Sequence, residues 1–200
     1  MHNSERTQLR RKLRAARNAL IPTEQQLAAQ DIASQLAAVP AVKTAGSLAF
    51  YLSNDGEVSL SEFSASLLAG ASSPRLALPV LHPFCRGHLL FLHYHQHTAM
   101  TENRFGIPEP SLDCTAVVPA HQLDVILMPL VGFDKDGNRL GMGGGFYDRT
   151  LANRHNWPAS PRLIGIAHDC QQVDALPVAA WDVPLDAIVT PSQIIVPKDS

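Results

Sequence analysis

The sequence predicts an α/β fold: one domain with a mostly parallel twisted sheet, helices on both faces, and a basic N-terminal helix in front. Three observations predict it. Segments with a helical apolar period alternate with short apolar runs, as in βαβ units. Several runs are apolar without alternation, DVILMPLV above all, as in strands covered on both faces. The chain has 200 residues, 46% hydrophobic and 17% charged. That is enough for one core and too apolar for a disordered chain. A single domain over 1–200 is expected, with the helix at about 4–20 docked on the α/β body.

The elements follow in order. Ser4 caps a first helix to about Leu20, with Leu9, Leu13, Ala16 and Leu20 on one face. Arg6, Arg10, Arg14 and Arg17 form a second stripe, either a solvated charged face or a ligand surface. Pro22 ends this helix, and Thr23 with Gln26 forms a capping box for the next. That second helix uses Leu27, Ile32 and Leu36 and stops at Pro40. Residues 47–52 form a buried strand, 53–56 a turn, and a helix runs from Ser59 to about Gly70. Strands are expected at 75–81, 88–94, 123–131, 163–167 and 187–190, with a helix at about 147–155. In such sheets ligands sit beyond the carboxyl ends of strands. The segments after Leu52 and Val131 are therefore the places for a site.

Composition excludes several classes. No stretch reads as about 20 apolar residues, so no membrane span is expected. The start, MHNSERTQLRRKLR, is basic without an apolar core, unlike a secretory signal. An organelle transit peptide is the alternative use of such a start. Cys85, Cys114 and Cys170 are odd in number and far apart, which suggests a reducing, cytoplasmic compartment with buried or idle thiols. The net charge is −2. Six of the sixteen basic residues lie between Arg6 and Arg17, on an otherwise acidic chain. This points to an anionic ligand or intramolecular docking rather than general nucleic-acid binding.

The segment Asp134–Arg149, DKDGNRLGMGGGFYDR, follows the best strand and enters a helix. Gly141, Gly143, Gly144 and Gly145 fall within five positions. Glycines let the backbone approach a ligand and aim N–H groups at an anion, and a helix start adds its positive end. Strand, loop and helix together read as a phosphate cradle, with Arg139 as a charged fork; a tight structural loop is the alternative. The run is neither a dinucleotide fingerprint nor a Walker loop. Asp148, one turn into the helix, suits Mg²⁺ beside phosphates or simply the helix N-terminus. Asp182 is a second carboxylate candidate or a turn residue. Glu57 lies at the ligand edge, as a loop charge or a partner for an aminopyrimidine. Phe105–Pro110, FGIPEP, is a rigid loop able to wall a flat ring. His93, His95 and His97 alternate, but no thiol or acid accompanies them, which makes a zinc site a minor option.

The run GFDKDGNRLGMGGGFYD, with LRRKLRAARNAL near the N-terminus and FGIPEP, resembles the 5-formyltetrahydrofolate cyclo-ligase (methenyltetrahydrofolate synthetase) family. DVPLDAIVTP supports this more weakly. The resemblance spans about Arg6 to Thr190. It implies ATP- and Mg²⁺-dependent conversion of 5-formyltetrahydrofolate into 5,10-methenyltetrahydrofolate, with ADP and phosphate released. It implies ATP contacts at Arg6, Arg10, Arg139, Leu140, Gly141, Met142, Gly143, Gly144, Gly145, Phe146 and Tyr147, with Arg139 and Tyr147 closest to catalysis. It implies folate contacts at Leu52, Glu57 and Met142–Phe146, magnesium carboxylates at Asp148 and Asp182, and FGIPEP as the pterin-side wall. Some members have basic residues where this chain has Met142 and Gly144, so phosphate charge must come from Arg149 or the first helix. The expected partners are small molecules, not nucleic acid or membrane, and the expected state is a monomer or weak homo-oligomer. A folate or nucleotide sensor without turnover is the alternative.

Overall fold

The computed structural model describes residues 2–70 and 73–198, so residues 1, 71, 72, 199 and 200 of the expected 1–200 domain lie outside the described residues. The chain opens with α1 (His2–Asn18), α2 (Pro22–Ala38) and the one-turn α3 (Pro40–Thr44). Then come β1 (Ser47–Ala49), α4 (Ser61–Ala69), β2 (Arg75–Leu81), β3 (Leu89–His93) and the hairpin β4 (Met100–Glu102) with β5 (Pro108–Pro110). After β6 (Val117–Val118) and β7 (Val125–Pro129), a second hairpin joins β8 (Gly132–Phe133) to β9 (Arg139–Leu140). The chain ends with α5 (Phe146–Leu151), β10 (Arg162–Ile166), β11 (Ala187–Val189) and β12 (Ile194–Ile195).

Eight strands form the main sheet in the order β12-β11-β10-β7-β1-β2-β3-β6. The five central strands, β11 through β2, pair in parallel. Both edges are antiparallel, through β3 and β6 on one side and β12 on the other. These edges were not expected from the sequence. The apolar run at β7 has a plain cause. Val125 and Leu127 pack on one face, Ile126 and Met128 on the other, and all four are buried. Strand residues alternate faces, so a strand covered twice needs apolar residues throughout. Ile32 and Leu36 of α2, Val42 of α3 and Phe63 of α4 cover the first face. Leu151 of α5 covers the second, together with Leu123, Val183 and Leu185 from irregular chain.

Several expected boundaries shift. α1 begins at His2, so Ser4 lies inside the helix. Pro22 opens α2 at its first position, where a missing N–H costs nothing. The capping acceptor is Glu24, whose Oε2 accepts from Ile21 N at 2.9 Å, not Thr23 with Gln26. Leu27 is exposed, and Ala28 and Ala29 take its place in the core. Pro40 both stops α2 and opens α3. α5 ends at Leu151, where the expected helix ran on to about residue 155.

β1 sits between β2 and β7. The chain leaves β1 toward one side and returns on the other, so the carboxyl ends of β1 and β7 flank the crevice where such sheets bind ligands.

Candidate functional site

A cavity of about 500 Å³ opens at this crevice. Leu52 and Glu57 line it from the exit of β1, Leu130 and Val131 from the exit of β7, and Arg6 and Arg10 from α1. Arg139, the whole run Gly141–Gly145, Phe146, Tyr147 and Asp148 line it as well, as do Asp182 and the hairpin residues Phe105, Ile107, Pro108 and Glu109. Every residue to which the resemblance assigned an ATP, folate or magnesium contact, with one exception, therefore lines a single cavity, whereas Arg149 does not line it. The exception is Leu140, whose side chain is buried and does not line it.

The arginine stripe of α1 turns inward and is not a solvated face. Arg17 is completely buried. Its Nε donates to Asp55 O at 2.8 Å, its Nη1 to Leu130 O at 2.9 Å and its Nη2 to Asp55 Oδ2 at 2.9 Å. Arg14 Nε donates to the same Oδ2 at 2.7 Å. Asp55 adopts φ +50°, a left-handed conformation that aspartate tolerates better than most residues. The hydrogen bond from Arg14, with further ones from Arg17 and Asn18, outweighs burial and draws its carboxyl down to about 2. Gln171 Nε2 donates to Leu130 O at 2.6 Å and Val131 O at 3.0 Å. Arg17 and Gln171 thus satisfy the carbonyls just beyond β7, which would otherwise lie buried without donors. Asp55 and Gln171 were not singled out in the sequence. The only signal for Asp55 was an acid in a turn opposite an arginine stripe.

The glycine-rich segment divides in two. Asp134–Asn138 is the turn of the β8–β9 hairpin and plays a structural part. Asp134 is buried; its Oδ1 accepts from Asp136 N and Asn138 N, and its Oδ2 from Asn138 Nδ2 and Leu176 N. Only the second half, from Arg139 on, faces the cavity. Gly143 has φ +97° and Gly145 φ +63°, which side chains rarely adopt. A Cβ on Gly144 would stand 2.7 Å from the Phe146 ring. Arg10 Nε donates to Gly141 O at 2.8 Å, and Arg149 donates to Gly144 O and, at 3.0 Å, to Gly87 O. Two arginines thus fix the loop by its carbonyls, leaving its amides for another partner.

Charge in the cavity is arranged in pairs. Arg139 binds Asp148 Oδ1, which also accepts from Val183 N at 3.2 Å. Arg6 grips both oxygens of Asp182, at 2.6 and 3.0 Å, and donates to Pro177 O at 2.7 Å. Burial lowers the Arg10 guanidinium, helped by the like charge of Arg6. Burial also lowers Arg139. The Asp182 carboxyl is raised by burial but lowered more by the Arg6 hydrogen bond and its neighbours, for a net downward shift. Three guanidinium groups face two carboxylates, so the cluster holds surplus positive charge. Magnesium favours one or two carboxylates plus phosphate oxygens and water. Asp148 fits that role, because its hydrogen bonds converge on Oδ1. Asp182 fits only if Arg6 lets go of it. No group of three or more His, Cys, Asp or Glu suited to a metal occurs among the described residues.

Glu57 lines the cavity beyond the exit of β1. Its Oε2 accepts from Asn54 N at 3.1 Å, and Arg17 Nη2 stands 3.9 Å from Oε1. Burial raises its carboxyl to about 7, against the opposing pull of Asn54 N and Arg17. Tyr147 is raised by burial too, so its hydroxyl keeps its proton at neutral pH. FGIPEP forms the tip and second strand of the β4–β5 hairpin. Phe105 meets Phe146 edge-on, with ring centroids 6.0 Å apart. Asn103 Nδ2 and Leu81 N both donate to Glu109 Oε2, at 3.0 and 3.1 Å. This ties the hairpin to the sheet. Trp181, exposed at the cavity mouth, was missed in the sequence. His93 ends β3, while the rings of His95 and His97 lie 6.4 Å apart, tilted at 60° to each other, outside the site. The three cysteines are exposed, not buried. No described helix is long and apolar enough to cross a membrane.

Comparison with known proteins adds to this geometry. The model of the 5-formyltetrahydrofolate cyclo-ligase family matches residues 2–191. The chain is 47% identical over 182 residues to the 5-formyltetrahydrofolate cyclo-ligase of Escherichia coli (strain K12), covering 91% of this chain and 98% of that one. It is 44% identical to the Haemophilus influenzae enzyme of the same name, covering 92% and 97%. Among solved structures, Aquifex aeolicus 5,10-methenyltetrahydrofolate synthetase aligns with a TM-score of 0.81 at 29% identity, over 98% of this chain and 94% of that one. The Mycoplasma pneumoniae synthetase aligns with a TM-score of 0.72 at 28% identity, over 93% and 98%.

Proposed function

Because the chain belongs to the 5-formyltetrahydrofolate cyclo-ligase family, we propose that its cavity performs the ATP-dependent closure of 5-formyltetrahydrofolate to 5,10-methenyltetrahydrofolate. The supporting observation is convergence: arginines of α1, the glycine run and the folate-side residues Leu52 and Glu57 line one cavity at the sheet's switch point.

In this reading the triphosphate lies along Gly141–Gly145, whose amides meet its oxygens. Arg10, Arg6 and Arg139 neutralise it, and the surplus positive charge of their cluster favours its entry. The phosphates compete with Asp182 for Arg6. Asp148 would hold magnesium, joined by Asp182 once Arg6 releases it, and the ion would offset phosphate charge there. The pterin lies between Glu57 and the hairpin, its ring donors bound by the Glu57 carboxylate. The N5 formyl oxygen attacks the γ-phosphorus. The bond to ADP breaks, and a phosphorylated imidate-like species forms. N10 then bonds to the activated carbon, loses its proton, and phosphate leaves with the former formyl oxygen. Such transfer depends on positioning and charge neutralisation more than on a covalent residue. Tyr147, kept protonated by burial, donates a hydrogen bond to phosphate or substrate and holds its orientation.

The test mixes protein, 5-formyltetrahydrofolate, ATP and Mg²⁺ and follows the near-ultraviolet band of methenyltetrahydrofolate. The band grows only when all are present. Folate binding without any such band would replace this reading with the non-catalytic sensor.

A further inference from the structure

Arg17 lies behind the cavity wall and does not line it, with no part of its side chain exposed. From there it touches three walls at once. Its hydrogen bonds hold the turn after β1 at Asp55 and the exit of β7 at Leu130 O, and its Nη2 lies 3.9 Å from the Met142 sulfur of the glycine run. The same Nη2 stands 3.9 Å from Glu57 Oε1. Charge explains that last approach. Arg14 and Arg17 share a single oxygen of Asp55, so two guanidinium groups meet one carboxylate. The Arg14 side chain is 44% exposed and shares its charge with water. Arg17 has no water to share with, and a buried cation needs a matched anion. Glu57 is the second carboxylate within its reach.

We propose that Arg17 is a positioning residue for Glu57, holding its carboxylate at the cavity wall from behind and acting on folate only through it. The inference rests on the folate reading above. The main chain around Glu57 is already fixed: Glu57 N donates to Asn54 O at 3.0 Å, and Tyr51 Oη donates to the next carbonyl, Val58 O, at 2.9 Å. Asn54 N holds Oε2 at 3.1 Å, which leaves Oε1 turned toward Arg17. Burial works against ionisation of Glu57, and the Asn54 N–H and Arg17 offset it. Of these two, Arg17 alone brings a full charge. Asp55, on the same turn as Glu57, opposes it. The other titratable neighbours are neutral. Tyr51 beyond β1 and Tyr147 of α5 are raised by burial and keep their protons. His168, whose Nε2 meets Gly56 O at 3.2 Å, is lowered by burial and is uncharged from pH 7 upward.

The test follows the Glu57 carboxyl of the free protein by ¹³C NMR titration and, in parallel, the pH profile of 5-formyltetrahydrofolate binding by calorimetry without ATP. Both midpoints fall at about 7 in the intact protein. Arg17→Met raises both by about one pH unit. Folate then binds about fivefold more weakly at pH 7 yet within about twofold of normal at pH 9, because only the ionised fraction binds well. Arg17→Lys, which keeps the charge without the fork, stays near the normal midpoint even where it lowers stability. Asp55→Asn disturbs the same turn but removes the opposing charge, so it moves the midpoint down. A purely structural role predicts something else: both Arg17→Met and Asp55→Asn weaken folate equally at every pH, with the Glu57 midpoint unmoved. That result overturns the proposal, as does a midpoint that rises in Asp55→Asn. Where Arg17→Met does not fold, Asp55→Asn decides alone: a lower midpoint supports the proposal, and an unchanged or higher one overturns it. Absence of folate binding by the intact protein contradicts the folate reading, while the NMR midpoints still decide the part played by Arg17.

Discussion

Asp148 and Glu57 line the same cavity, and the role proposed for each makes a prediction at the scale of one residue. Asp148→Asn keeps the shape and the Val183 contact but loses the charge that would hold magnesium. Mg²⁺-dependent turnover should fall on the order of 100-fold, with an unchanged far-ultraviolet dichroism spectrum. Near-normal activity would remove Asp148 from the metal role. Glu57 should set the pH dependence of folate binding. Its carboxyl titrates near 7, and ring N–H donors bind only the ionised form well. Folate affinity should therefore rise as pH climbs from 5 to about 7 and then level off. Glu57→Gln should flatten that profile; an unaltered profile in the variant would assign it to another group. Neither role follows from spacing alone. Glu57 is one acid after a turn, and its perturbation comes from burial that only the fold creates.

At the scale of elements, α1 and the glycine loop depend on each other through Arg10 and Gly141 O. The left-handed φ of Gly143 makes Gly143→Ala a strain of about 1–3 kcal/mol. It should weaken ATP about tenfold and leave folate binding close to normal, as titration of each ligand would measure. The Asp55 turn is the other anchor of α1. Arg17→Met should cost about 3 kcal/mol in urea unfolding, because it removes the side-chain donor to Asp55 O, one of the two donors to Leu130 O, and the buried partner of the Asp55 carboxylate. Arg14→Ala should cost less than about 1 kcal/mol, since that side chain is 44% exposed. Equal losses would mean that burial does not separate the two arginines. The helical period at residues 4–20 made α1 legible, yet the arginine stripe read equally well as solvated, because nothing local marks Asp55 as its partner. The glycine run was legible as a loop between a strand and a helix, and its second half lines the cavity. Its first half was not legible as a hairpin turn, because Asp134 is fixed by Leu176, 42 residues away. The antiparallel edge strands were hidden for a similar reason. β6 and β12 have two residues each, too short to show a period.

For the molecule as a whole, two carboxylates pull stability in opposite directions with pH. The Asp55 carboxyl is lowered to about 2, so its contribution is present above pH 4 and lost as pH falls through about 2. The Glu57 carboxyl is raised to about 7, so the folded state holds its proton more tightly than the unfolded chain. Its contribution is full below about pH 4.5 and lost as pH rises through 7, by about 3 kcal/mol. The thermal midpoint of the free protein should fall between pH 5 and 8. Glu57→Gln should abolish this part of the fall, and saturating folate should offset it. A fall of the same size in the variant would trace it elsewhere. The cost is tolerable because a charged group waiting in a buried pocket is already arranged for its ligand. The parallel centre of the sheet places that pocket, and the loops around it supply the chemistry.

In the proposed reaction the γ-phosphoryl group passes to the formyl oxygen. The direct test supplies 5-formyltetrahydrofolate labelled with ¹⁸O in the formyl group, together with ATP and Mg²⁺, and weighs the inorganic phosphate released. One ¹⁸O in the phosphate for each methenyltetrahydrofolate formed is the predicted result. Product formation with unlabelled phosphate would contradict it, because the formyl oxygen would then have left without ever being phosphorylated.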